Sequence, residues 1–226
     1  MIDKMNLTET DIQKNYNEFI DFVKNSFSGE RKKNLLKMYS EDELGLELST
    51  APASMCEHFH LCHPGGYVQH IMNVVKMSFA SKKLFELAGA NIDFTDEQMV
   101  FSALHHDLGK LGDPAAFGGY YANQDEDWKK KKGEFYKMNP NMPYMEVSDR
   151  TVFILQKYGV LYDWKEFLGM KLADGMYSES AAKYLKQFNQ DLYLKTNLPR
   201  VIHTADYAAC RGEYDKWYFS NTEELL

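Results

Sequence analysis

Three stretches of the chain bring together side chains able to bind a cation and handle a phosphate. The first is ALHHDLGKLGD, residues 103–113, where His106 stands next to Asp107 and Lys110 follows three residues later. Imidazole nitrogen with carboxylate oxygen is a donor mix suited to Mn, Fe, Co, Ni or Zn. An ammonium one turn on could hold the non-bridging oxygens of a phosphoester. The competing reading is a helix end at which His and Lys only answer the helix dipole. The second stretch is VIHTADYAACR, residues 201–211, with His203 and Asp206 three apart on one helix face among Ala205, Ala208 and Ala209. A carboxylate on so alanine-rich a helix needs a cation, either a metal or a Lys or Arg from a neighbouring element. The third is CEHFHLCHPGGYVQH, residues 56–70, ending on His70 in the first turn of a helix. Taken alone, His70 also reads as a hydrogen-bonded core histidine.

A zinc knuckle built from Cys56 and Cys62 fits this third stretch poorly. The cysteines are six apart and no second cysteine pair follows, whereas structural zinc sites space theirs more closely. The alternative makes His70 a metal ligand, sets His60 and His63 at the mouth of a site, and leaves the cysteines as reduced thiols.

The positioning elements are helical. Thr8 caps a first helix carrying Ile12, Tyr16, Phe19, Ile20, Val23 and Phe27 at helical spacing, which Gly29 ends before a second helix over 30–39. Residues 41–64 lack periodicity and read as a loop. A long amphipathic helix follows Gly65-Gly66 to about Leu87, with Val68, Ile71, Met72, Val75 and Leu84 as its buried stripe and Gly89 as its stop. Thr95 caps a helix over 96–110, acidic in its first turn. Residues 112–146, rich in Gly, Pro, Asn and Tyr, read as an irregular insertion or lid. Helices over 148–157, 163–173 and 179–190 precede a last one from Pro199 to Tyr218. No strand pair stands out. The expected fold class is all-α, with residues 1–45 a helical extension and 46–226 the domain that carries the chemistry.

Composition narrows the partners. A net charge of −7 disfavours broad binding to duplex DNA or an anionic membrane, and the Lys129–Lys132 run reads as a solvated face. No apolar run is long enough to span a bilayer. The opening MIDKMNLTETD lacks an apolar signal segment, and three cysteines suit a reducing cytoplasm.

Taken together, His70, the His106-Asp107 doublet and Asp206 resemble the HD-domain superfamily, whose signature is H…HD…D on a helical bundle. Asp107-Leu108-Gly109-Lys110 is similar to the HD-x-G-K ending of its phosphohydrolase branches. Pro52-Ala53-Ser54, His60, Gly65-Gly66 and His70 resemble the opening of HD domains in certain 3′→5′ exoribonucleases and in small phage-encoded HD proteins. The segment from Leu198-Pro199 through Glu213 to Trp217 also resembles the latter. The likeness spans roughly residues 50–217, and the first 45 residues lie outside it.

The resemblance implies an HD-type helical bundle holding one or two divalent transition-metal ions through His70, His106, Asp107 and Asp206. It implies hydrolysis of a phosphoester in a nucleotide, a cyclic nucleotide or a short single-stranded nucleic acid. In that scheme Asp107 and Lys110 are catalytic, while His60, His63, His105, Asp174 and His203 contact substrate or orient ligands. Tyr120-Tyr121 could stack a base. One departure bears on the metal count: where two-metal relatives tend to place a His before Asp-Gly, this chain has Ala173 before Asp174-Gly175. Two rival expectations follow, a di-iron oxygenase of a small organophosphonate and an HD binding module with an impaired centre.

Overall fold

The computed structural model describes residues 7–187 and 189–222, so most of the MIDKMNLTETD opening lies outside the described residues. The protein is all-α apart from one small ribbon. Thr8 and Asp11 form a reciprocal capping box at the start of α1 (Glu9–Ser26), which buries Tyr16, Phe19 and Val23. The first helix stops at Ser26, and Gly29 opens α2 (Gly29–Met38) rather than ending α1.

The expected loop after Tyr39 begins as helix. A π-type turn, Glu41–Gly45, runs into α3 (Leu46–Thr50). The Ser40 carbonyl accepts N–H bonds from both Glu43 and Gly45, which widens the turn. Leu44 and Leu48 are the only buried side chains here, too few to leave a periodic signature.

The central pair is α4 (Gly66–Leu87) against α10 (Leu198–Thr222), with α5 (Asp96–His105) and α8 (Trp164–Lys171) packed alongside. Gly65 takes φ +81°, and a side chain on Gly66 would put Cβ 2.1 Å from the Leu61 carbonyl oxygen. The double glycine is therefore what lets the 51–64 loop turn directly onto α4. Val68, Ile71 and Val75 are buried on α4 and Met72 partly so, but Leu84 is exposed, because it is the next residue, Phe85, that packs against the core there. On α10, Ala205 and Ala209 are buried while Ala208 faces outward.

The helix capped by Thr95 ends at His105 instead of reaching Lys110. Asp107 leaves helical geometry and Leu108–Leu111 forms a 3-10 turn, whose Gly109 packs against α7 (Val147–Lys157). Inside 112–146, β1 (Tyr121–Asn123) pairs antiparallel with β2 (Tyr136–Met138), around the short α6 (Asp127–Lys130). Three-residue strands carry too little alternation to be legible in advance. Of the Lys129–Lys132 run, Lys130–Lys132 are exposed and Lys129 is half-buried, paired with Glu126. The 179–190 helix is shorter than expected: α9 covers Glu179–Leu185. Among the described residues no helix is long and apolar enough to cross a membrane.

Residues of α1 and α2 share one hydrophobic core with α4, α5 and α10. Arg31 on α2 makes a two-pronged ion pair to the buried Glu166 of α8, at 2.7 and 3.0 Å, and reaches Glu97 at 3.1 Å. Breaking such a pair leaves a buried charge uncompensated, at a cost of about 3–5 kcal/mol.

Candidate metal centre

The site lies where α4, the end of α5 and α10 meet. His70 is fully buried, and its Nδ1–H donates to Glu213 Oε2 at 3.0 Å. His106 Nδ1–H donates to the Ala103 carbonyl at 2.8 Å. Carboxylate and carbonyl oxygens only accept, so in each neutral ring the proton sits on Nδ1 and Nε2 keeps its lone pair. His106 thus does answer its helix end, as the bland reading had it, and its other nitrogen remains free for the site.

Both Nε2 atoms face the same carboxylates. His70 Nε2 lies 3.2 Å from Asp206 Oδ1 and 3.8 Å from Asp107 Oδ2, and His106 Nε2 lies 3.6 Å from each. Among the described residues neither nitrogen has a hydrogen-bond partner, although both are buried. Lone pairs on nitrogen and anionic oxygen repel at this range, so the cluster calls for a positive centre between them. Donors about 2.1 Å from a common tetrahedral centre stand about 3.4 Å apart, which matches these separations. His70, His106 and Asp206 form a group that could hold a metal ion.

The electrostatics call for the same positive charge, which protons on the two rings also supply. Full burial pushes His70 down, but the Asp206 and Glu213 carboxylates outweigh it and raise it to about 10. His106 is raised against its burial by Asp107 and Asp206. Asp206, for its part, is held well below the carboxylate range by His106 and His70, in spite of burial. Among the described residues its ion-pair partners are these histidines, not a Lys or Arg.

Asp107 Oδ2 is shared, because Lys110 Nζ also approaches it at 2.6 Å while bonding the Ala53 carbonyl at 3.1 Å. Lys110 is held protonated, burial being outweighed mainly by Asp107. Above the cluster opens a pocket of about 650 Å³ that also takes in His60, Asp174 and His203. The His60 ring lies 4.7 Å from that of His70, centroid to centroid. Burial and the Asp107 charge push the Asp174 carboxyl up. His203 Nδ1–H donates to the Ala173 carbonyl at 2.8 Å. Gly175, at φ +56°, lies so close to His203 that a Cβ would stand 2.2 Å from the ring. Asp174-Gly175 therefore forms the seat on which His203 rests.

Two expected residues lie elsewhere. His105 is 100° around the helix from His106 and sits in the core, against Phe101 and Tyr39, with its Nδ1–H donated to the Phe101 carbonyl. Burial pushes it down to about 3, so it stays neutral. His63 bonds the Pro64 carbonyl and lines a separate pocket of about 390 Å³, which Glu213 also lines. Cys56 and Cys62 belong to no three-ligand group among the described residues, and burial pushes Cys62 up to about 12. Tyr120 packs against Tyr121 and the Arg150 guanidinium, and Tyr121 bonds Ala53; neither lines the pocket.

Several site residues escaped the sequence reading. Glu213 orients His70 and also accepts from Asn73 at 2.7 Å. Its signal was spacing: His203, Asp206, Cys210 and Glu213 recur every three or four residues, one stripe of α10. Phe59, Tyr177 and Tyr207 rim the pocket and are exposed. Tyr177 and Tyr207 stack with nearly parallel rings, 6.4 Å apart.

Comparison with protein-family models, curated proteins and solved structures gives no match for the chain.

Proposed function

We propose that the chain is a metal-dependent phosphohydrolase of the HD type, acting on a nucleotide or another small phosphoester. One observation carries the reading. His70 Nε2 and His106 Nε2 are buried, unpartnered and aimed at two carboxylates, beside the Lys110 ammonium. Such a set fits a divalent transition metal taking the place of the protons that the carboxylates otherwise draw onto the two rings. The resemblance of H…HD…D to HD phosphohydrolases agrees with it.

A cation bound there supplies Lewis-acid polarisation of a phosphoryl oxygen and lowers the pKa of water. The protein's own groups do the rest. Lys110, already beside Asp107, neutralises charge on a non-bridging oxygen. Asp107 takes up a proton from attacking water. Asp174, across the pocket and raised toward its protonated form, gives a proton to the leaving oxygen. The exposed pair Tyr177 and Tyr207, with Phe59, offers a flat apolar surface for a base at the mouth. The acidic chain favours a free nucleotide over a long strand.

The test is turnover of a nucleotide and cyclic-nucleotide panel by metal-loaded protein, alongside Asp107→Ala. Release of phosphate or nucleotide product that Asp107→Ala abolishes supports the reading. Oxygen consumption with an organophosphonate would replace it with the oxygenase. Binding without turnover would leave a binding module.

A further inference from the structure

We infer that Cys210 and His60 make a second, sulfur-containing seat for the same ion, so that the centre takes a thiophilic cation such as zinc or cobalt(II) through a thiolate. The inference rests on the metal-centre reading and names which residues choose the metal. His60, His70 and Cys210 place one ligand atom each within 4.8 Å of one another, beside the group formed by His70, His106 and Asp206. Cys210 Sγ lies 3.9 Å from His60 Nε2, and its S–H donates to Asp206 Oδ1 at 3.5 Å. His70 Nδ1 is committed to Glu213, so its unpartnered Nε2 must serve both groups. The two sets therefore compete for one ion, one with nitrogen and oxygen donors, the other with nitrogen and sulfur.

His60 is held in place at visible conformational cost. Ser54 Oγ donates to the His60 carbonyl at 2.6 Å. The next residue, Leu61, takes φ +41°, a left-handed conformation unfavourable for a leucine. Such strain is expected where a side chain must be aimed. Cys210 follows Asp206 by one helical turn on the same face of α10. On coordination its S–H bond breaks, the proton leaves to solvent and the sulfur pair binds the cation. Thiolate prefers zinc and cobalt to manganese or magnesium.

Cobalt(II) added to metal-free protein reports the ligands optically. The Cys56→Ser/Cys62→Ser variant leaves Cys210 as the sole thiol. We expect it to show a near-ultraviolet thiolate-to-cobalt charge-transfer band together with visible d–d bands. Cys210→Ser should lose the first and keep the second. It should also lose zinc affinity by about tenfold while manganese affinity stays within about twofold. Visible bands without charge transfer in the sole-thiol variant overturn the inference and leave the metal centre standing. So does a charge-transfer band that survives Cys210→Ser. Absence of any cobalt spectrum overturns both.

Discussion

Glu213→Gln and Glu213→Ala probe how much of the centre depends on one residue behind it. Glu213 is buried, and its two oxygens serve different donors: Oε2 takes the His70 Nδ1–H at 3.0 Å and Oε1 takes Asn73 at 2.7 Å. Glutamine keeps the shape but presents one oxygen and one NH₂. It can accept from His70 and donate to Asn73 once the Asn73 amide turns over. Both bonds then survive, and only the charge is lost. Charge-assisted bonds are about twice as strong as neutral ones, so we expect a metal affinity about tenfold lower, or about 1.4 kcal/mol. Alanine leaves the His70 Nδ1–H without an acceptor and frees the ring to rotate, so the expected loss rises to about 100-fold, or about 2.8 kcal/mol. Competition against a chromophoric chelator, on protein whose circular dichroism is unchanged, measures both. If Glu213→Ala keeps its metal affinity within about twofold of the parent, the claim that Glu213 orients His70 as a ligand is wrong.

Other expectations concern the reaction and the frame. Lys110→Ala should lower kcat/KM by about 100-fold, as loss of one preorganised charge does; steady-state kinetics at saturating metal would show it. Gly109→Ala should destabilise the fold by about 1–3 kcal/mol, because its Cβ would fall 2.1 Å from the Val147 carbonyl oxygen; a lowered denaturant midpoint is the readout. Asp93 gives a pH test away from the site. Its burial would raise the carboxyl, but Lys165, the Asn197 N–H and the Thr196 hydroxyl outweigh that and hold it below 3.8. The stability it contributes is therefore complete above 3.8 and is lost as pH falls through the lower folded value. Asp93→Asn should cost stability at neutral pH, and the gap to the parent should shrink in acid; a gap independent of pH would refute this.

Helix ends with side-chain caps were readable in advance. Thr8 and Thr95 both cap as expected, and each does so within a reciprocal box, with Asp11 and Gln98 respectively. The helical turns over 41–50 were not, because they bury little and follow no apolar period. Spacing along the chain left His70 readable as a core histidine, and only the resemblance to the H…HD…D signature grouped it with His106-Asp107 and Asp206. Spacing could not choose between His105 and His106. Only the packing of α5 against Phe101 and Tyr39 decides which ring turns to the core. The aromatic rim was hidden for a different reason: Phe59 and Tyr177 come from irregular segments, whose approach depends on contacts far apart in sequence.

Metal analysis of freshly purified protein beside a His70→Ala/Asp206→Ala variant tests the central claim most directly. The account predicts about one transition-metal ion per parent chain and almost none on the folded variant, even after added manganese, zinc or cobalt. Equal metal binding by parent and variant would contradict it.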